Sequence, residues 1–350
     1  MKQKKRLRIG MIGAGRIAKI HAYNIAHRVS EAEVAAVCDK FADSASEMAA
    51  LLNISDVYTD YNSILGRNDV DAVCICTPTE THAEISIAAA RAGKHVLCEK
   101  PVDLETEKIE RVIEEVEKSG IVYQVAFNRR FDASYGRVAK MVQSGAVGEV
   151  QTVLIVSRDP KVSPVSYLRK SGGLYLDMGV HDFDMVRFVS GQEVAEVTAR
   201  GACLVDPAVG EIGDVDTAVT TMRLSNGALA VVIHSRQAVY GYDQRLEVFG
   251  SLGMARAENR TEDSTILYTA ESVVTDRPLW NFTERFEGAY LEEMRCFVDS
   301  CLHQKPVTAT IYDGLCSVRI GLAARESQEK GGIPVRLDGK PECGKGQAWS

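Results

Sequence analysis

Lys100, Asp177 and His181 are the residues whose types and settings point most directly to chemistry. Lys100 stands in Cys98-Glu99-Lys100-Pro101, at the end of an apolar run that reads as a β-strand. A lysine at the carboxyl edge of a parallel strand points toward the crevice where such sheets take their ligands. Pro101 restricts Lys100 to an extended conformation. Asp177 and His181 are four residues apart in Gly172-Gly173-Leu174-Tyr175-Leu176-Asp177-Met178-Gly179-Val180-His181-Asp182. On a helix that spacing puts them on one face. A base beside a carboxylate is what removal of a proton from an alcohol requires. An ammonium group suits the alkoxide that develops. The bland alternative for the second segment is a helix-start loop with a satisfied surface histidine.

The segment Gly10 to Ala18 places a dinucleotide beside such chemistry. Gly13, Gly15 and Ala18 match the glycine fingerprint G-x-G-x-x-G/A, set between a strand and a helix. Gly13 permits a tight turn, Gly15 lets backbone approach a pyrophosphate, and Ala18 lets the helix lie close on the sheet. Ala14, Arg16 and Ile17 complete the turn, and the helix N-terminus offers N–H groups and a positive dipole end. Asp39 closes the second strand, where a carboxylate accepts hydrogen bonds from a ribose diol and repels a 2′-phosphate. That favours NAD over NADP, although Lys40 next to it could offset the repulsion. The alternative is a nucleotide-free sheet in which Asp39 caps a loop.

The elements that must position these residues follow from the hydrophobic pattern. Strand runs Leu7–Ile12, 33–38, 71–76, 95–98 and 121–127 alternate with helical stretches 16–29, 44–52, 81–92 and 105–119. Alternation on this scale implies βαβ units and a doubly wound parallel sheet. After residue 125 the texture changes. A helix over 134–144 precedes strand candidates at 150–158, 196–205, 216–224, 227–237 and 245–250, with Ser225-Asn226-Gly227 as a hairpin turn. Helices over 290–301 and 313–330 follow. The expected fold is α/β: a Rossmann domain over 1–125, then an α+β domain over 126–337 on a large, mostly antiparallel open sheet. The tail from Asp338 is expected to be mobile.

Composition narrows the class. The chain has 350 residues, enough for two domains of ordinary size. Its net charge of −7, from 41 basic and 48 acidic residues, disfavours nucleic acid or an anionic membrane as partner. No run approaches the roughly 20 apolar residues of a membrane span. The basic start through Arg8 reads as a frayed, solvated end rather than a targeting signal. Nine cysteines are present, and Cys38, Cys74 and Cys76 lie in apolar runs as small buried hydrophobes. No second Cys/His pair has zinc-like spacing, so no metal site is expected. A reducing cytoplasm fits this usage.

These segments together resemble one family, the oxidoreductases named for glucose–fructose oxidoreductase, inositol dehydrogenase and a rhizopine-catabolism protein. The marks are the glycine fingerprint, Cys76-Thr77-Pro78-Thr79 with His82, Glu99-Lys100-Pro101, and Gly172-Gly173 followed by Asp177 and His181. They run in the family's order over residues 7 to about 337. Phe127-Asn128-Arg129-Arg130-Phe131-Asp132, Ser157-Arg158-Asp159-Pro160 and Tyr240-Gly241-Tyr242-Asp243 are similar to the members that act on inositol. The resemblance implies hydride transfer from a ring carbinol carbon to NAD, with Lys100, Asp177 and His181 as the catalytic trio. It implies that Asn128, Arg129, Asp159 and Tyr240 hold ring hydroxyls, beside Lys100, Asp177 and His181, and that the chain forms a homotetramer through the second domain's sheet. Such a set of donors and acceptors suits a neutral polyol.

Thr77, Pro78 and Thr79 are expected along the cofactor path, with His82 supporting its nicotinamide end. Glu99 could cap a loop or touch the nicotinamide ribose. Arg130 and Asp132 suit structural ion pairs as well as ligand contacts, and Tyr242 suits a sheet position. Three rival readings stand beside the first. One is an NAD(P)-dependent sugar dehydrogenase or reductase of the same family. Another is an NAD-binding regulator without chemistry. The third is an NAD-requiring glycosidase.

Overall fold

β1 (Leu7–Ile12) is buried along nearly its whole length, as a strand covered on both faces must be. The computed structural model describes residues 6–337. In it β1 is central to a six-stranded parallel sheet with β2 (Ala32–Cys38), β3 (Val57–Tyr58), β4 (Ala72–Ile75), β5 (His95–Cys98) and β6 (Tyr123–Val125). The strand order is β3-β2-β1-β4-β5-β6. The direction of winding reverses between β1 and β4, and the loops that leave these two strands meet there. β3 was not expected. Two residues show no periodicity, and it exists because Asp56 and Tyr58 accept backbone hydrogen bonds from Val37 and Asp39.

The sheet's core gathers Ile9, Met11, Ala18, Ala22, Ile25, Val37, Met48 and Leu97, and also Leu291, Met294, Phe297 and Val298 from the helix Glu287–His303. The first compact unit therefore runs through Phe131 and takes in 288–318, beyond the break expected near residue 125. A helix so far along the chain carries no local sign of which sheet it covers.

The second compact unit holds 132–287 together with the stretch that begins at Arg319. Its strands are β7 (Val150–Arg158), β8 (Val194–Ala202), β9 (Thr217–Leu224), β10 (Leu229–Ser235), β11 (Asp243–Gly250) and β12 (Gly253–Ala257). A small hairpin of β13 (Ile266–Tyr268) and β14 (Val273–Thr275) follows, then β15 (Val335–Arg336). The seven-stranded sheet has the order β12-β11-β7-β10-β9-β8-β15. Only β7 and β10 pair in parallel, so the sheet is mostly antiparallel as expected. Gly227, at φ +89°, makes the β9–β10 turn, and Asn226 Oδ1 accepts the Ala228 N–H at 3.0 Å. The hairpin β13–β14 was not expected, because its apolar residues are exposed on both faces.

Helix Ala133–Gln143 packs on β11 and β12, and helix Gly179–Ser190 packs on β7 and β10. Asp132 caps the first of these helices and pairs with Arg285, its Oδ2 at 2.6 Å from the guanidinium. Arg285 is 1% exposed and also stacks over Phe286, so this pair fastens the helix start from inside.

Candidate nucleotide and catalytic site

The glycine turn is built as its residue types require. Gly13 has φ +101°, and a Cβ there would lie 2.5 Å from the Cys76 carbonyl oxygen. Its N–H donates to Cys38 O at 2.8 Å. Helix Arg16–Arg28 opens at Gly15 with no side-chain cap, so its first N–H groups face outward. A Cβ on Gly15 would meet no protein atom within 4 Å. Packing within the chain therefore gives no reason for glycine there, whereas close approach of phosphates does. Ala18 is fully buried under the sheet. Arg16 and Lys40 are exposed, and Ile17 is half-buried.

Asp39 lies beside the turn. Its Oδ2 accepts the Ala14 N–H at 2.7 Å and its Oδ1 accepts the Phe41 N–H at 2.9 Å. It is thus a loop anchor. A carboxylate has about four acceptor positions, so two remain for a ribose diol. These features fit a dinucleotide.

Thr77, Pro78 and Thr79 leave β4 next to the turn, and Thr81 Oγ1 donates to Thr77 Oγ1 at 2.8 Å. His82 is buried beneath them. Its Nε2 lies 2.7 Å from Thr77 O and its Nδ1 lies 2.8 Å from Pro101 O. Both partners are acceptors, so only the doubly protonated ring satisfies them together. Burial pulls the His82 imidazole down, but the Cys98 thiol and the two carbonyls outweigh it and raise the group to about 9. His82 therefore staples the Thr77 loop to the peptide after Lys100, and its ring is used up in doing so.

Lys100 is half-buried at the end of β5, and its bond to Pro101 is cis. Glu99 holds this edge: its N–H donates to Ile75 O at 2.9 Å, and its Oε2 accepts the Lys100 N–H at 3.3 Å. Its Oε1 sits 3.0 Å from His21 Nε2. His21 was not singled out from sequence, because a histidine inside an amphipathic helix gives no signal. Asn128 and Arg129 lie buried in the 3-10 turn Asn128–Phe131. Arg130 of that turn donates to Thr308 O at 2.6 Å and forms an ion pair with Asp313 at 2.9 Å in which both charged side chains are fully buried. Arg130 and Asp132 are thus structural.

In the second unit, Gly172 and Gly173 have φ +87° and +81°, and the turn they make starts the short helix Leu174–Asp177. Helix Gly179–Ser190 begins after Met178. The two are not one regular helix, since His181 N–H bonds back three residues, to Met178 O. Asp177 is held on both oxygens: Tyr167 donates to Oδ1 at 2.8 Å, and Arg236 approaches Oδ2 at 3.3 Å. Arg236, 1% exposed, also reaches Asp214 at 3.4 Å, and Asp214 in turn accepts the Leu174 N–H at 3.0 Å. Desolvation of its inward hydroxyl, with Asp177 and Asp159 near it, raises the Tyr167 phenol. Tyr167, Arg236 and Asp214 escaped notice because they lie 10 to 59 residues from Asp177. Asp159, at the end of β7, is fixed by backbone bonds with Ser235 and Ala238. Tyr240 is 40% exposed, and its hydroxyl donates to Asp243 at 2.6 Å and accepts from Arg158 at 2.9 Å. Tyr242 is buried against Phe286.

Comparison with known proteins gives the family and the fold. Residues 7–127 match the GFO_IDH_MocA model, described as an oxidoreductase family with an NAD-binding Rossmann fold. Residues 135–256 match the C-terminal domain of the same family. The chain is 42% identical over 324 residues to a myo-inositol 2-dehydrogenase of Thermotoga maritima, covering 93% of this chain and 97% of that protein. It is 40% identical to an inositol 2-dehydrogenase of Rhizobium meliloti, covering 94% and 99%. A scyllo-inositol dehydrogenase from Lactobacillus casei, solved with bound NAD(H) and scyllo-inositol, superposes with a TM-score of 0.89 at 33% identity, covering 95% and 99%.

Two outcomes follow. Asp39→Ala removes the anchor of the turn and the diol acceptor, each a hydrogen bond to a charged group worth about 1.5–3 kcal/mol. NAD binding should weaken by about 10–100-fold, and the ratio of NADP to NAD turnover should rise; an unchanged ratio would show that Asp39 does not discriminate. His82 is raised in the folded chain from 6.5 to about 9, so its contribution is complete below pH 6.5 and is lost as pH climbs through 9. At 1.36 kcal/mol per unit this is about 3 kcal/mol. Melting temperature should fall across that window, less steeply in His82→Gln; a flat wild-type profile contradicts the staple.

Proposed function

Since the chain belongs to the GFO_IDH_MocA oxidoreductase family, we propose that it is an NAD-dependent inositol 2-dehydrogenase. It oxidises myo-inositol, scyllo-inositol or both to 2-keto-myo-inositol. The observation that carries this reading is agreement over nearly the whole chain, in sequence and in fold, with inositol 2-dehydrogenases, one of them bound to NAD(H) and scyllo-inositol.

In this reading Gly15, Arg16 and Ile17 present backbone N–H groups to the pyrophosphate, while Gly13 and Ala14, whose own N–H groups are held by Cys38 O and Asp39, shape the turn that receives it. Asp39 and Lys40 face the adenosine ribose. Thr77, Pro78, Thr79, Glu99 and Lys100 line the nicotinamide end, and His82 holds their loop. Bound NAD supplies the hydride-accepting ring. His181 accepts the proton of the reacting hydroxyl. Lys100 places its ammonium by the oxygen, where charge develops as the C–H bond breaks. Asp177, fixed by Tyr167 and Arg236, accepts a hydrogen bond from the substrate. Asn128, Arg129 and Asp159 hold further ring hydroxyls. Tyr240, already tied to Asp243 and Arg158, offers its ring and one remaining lone pair. A sugar with fewer matching hydroxyls would leave several of these groups unpaired, which is costly.

A cytoplasmic setting belongs to the same reading and rests on the buried free thiols Cys38, Cys74 and Cys98, not on Cys316, which is disulfide-bonded. The open face of the second sheet supports a homotetramer. By strand register Leu154, Val219, Leu229 and Phe249 share that face, and each is 37 to 54% exposed.

The function is tested by following NADH formation with myo-inositol, scyllo-inositol and glucose. Activity on an inositol is expected, and Lys100→Met should lower kcat by about 10²–10⁴-fold, the usual contribution of a group acting in proton transfer. Good turnover of glucose with none of any inositol would overturn the substrate, and full activity of Lys100→Met would overturn the residue assignment. For the assembly, light scattering should give four chains, and Val219→Glu with Phe249→Glu should dissociate them; a monomeric wild-type protein rejects it.

A further inference from the structure

His21, Cys74 and Cys76 form a cluster that the reaction does not use. Cys74 and Cys76 are two apart along β4 and its exit, so their side chains share a face. Their Sγ atoms are 3.6 Å apart. His21 reaches the same place from helix Arg16–Arg28, and one donor atom from each of the three residues lies within 4.8 Å of the others. His21 is fully buried; its Nε2 is held by Glu99 at 3.0 Å, while its Nδ1 has no hydrogen-bond partner. Glu293 sits beside them, also fully buried, and neither of its carboxylate oxygens has a partner.

Buried polar groups are rarely left unsatisfied. A histidine that binds a metal through one ring nitrogen ordinarily gives the other N–H to a carboxylate, as His21 does with Glu99. Zinc–sulfur bonds of about 2.3 Å in a tetrahedron place two thiolates about 3.8 Å apart, close to the separation here. Cys76 and Glu99 are partly exposed, which leaves a path to the cluster.

We propose that His21 Nδ1, Cys74 Sγ and Cys76 Sγ bind one thiophilic divalent cation of the zinc class, with a solvent molecule as the fourth ligand of the tetrahedron. Glu99 orients the imidazole, and Glu293, whose carboxyl burial holds well above the usual range, lies beside it. Both thiols lose their protons on binding, so the ion is held by two thiolates and a neutral imidazole. The ion would join the first helix to the end of β4, directly behind the Gly13 turn.

The test uses the full chain with Zn2+ and Co2+ as probes. One equivalent of Zn2+ should remain after gel filtration and shield Cys76 from iodoacetamide. Co2+ should give the near-ultraviolet thiolate charge-transfer band and the visible bands of a tetrahedral site, and Zn2+ should bleach them. Glu99→Gln should weaken binding by about 10–100-fold, as loss of such a partner does elsewhere. Cys74→Val, which preserves the packing, should abolish the spectrum with the fold checked by circular dichroism. Wild-type protein that shows no thiolate band and no protection of Cys76 overturns the proposal. So does a Cys74→Val protein that binds as tightly as the wild type.

Discussion

A Cβ on Gly13 would lie 2.5 Å from the carbonyl oxygen of Cys76, and the φ of +101° there is one that other residues avoid. At the same point the Gly13 N–H bonds Cys38 O, and Asp39 accepts the Ala14 N–H. Three strand ends, those of β1, β2 and β4, are drawn together at one peptide. Nothing larger than glycine permits the approach. The uncapped start of the first helix, the position of Asp39 and the course of the Thr77 loop all depend on it.

The loops around that point are held by charge and backbone rather than by apolar packing. His82 bridges two carbonyls and Glu99 bridges His21 and the Lys100 N–H. In the second unit Arg236 sits between Asp177 and Asp214. Each device fixes a polar side chain or peptide by hydrogen bonds that gain strength in a poorly solvated setting. Reacting groups need such placement, because small displacements are costly in rate. A flexible loop held only by apolar contacts would allow the turn more freedom.

A neutral polyol offers little besides hydroxyl groups, so recognition rests on matching donors with acceptors. Members of this family share the nucleotide-binding sheet. On the proposed reading the second unit supplies acceptors and donors through Asp159, at the end of β7, Asp177, on a glycine-started turn, and Tyr240. The Tyr240 hydroxyl is already engaged within the chain, donating to Asp243 and accepting from Arg158.

Much of this was legible in the residues themselves. The glycine spacing, the apolar strands and the Asn-Gly turn act locally, through steric limits and periodicity that neighbouring residues reveal. They determined the doubly wound sheet, the mostly antiparallel sheet that follows and the NAD-type turn. Tertiary structure alone decided the partners of the polar groups. His21 meets Glu99 across 78 positions, Arg236 meets Asp177 across 59, and the helix bearing Glu293 returns to cover the first sheet. It also decided that Asp39 anchors the turn and that His82 is sealed inside. Hydrogen bonds and burial between distant segments depend on where the chain folds back, and no spacing along it encodes that meeting.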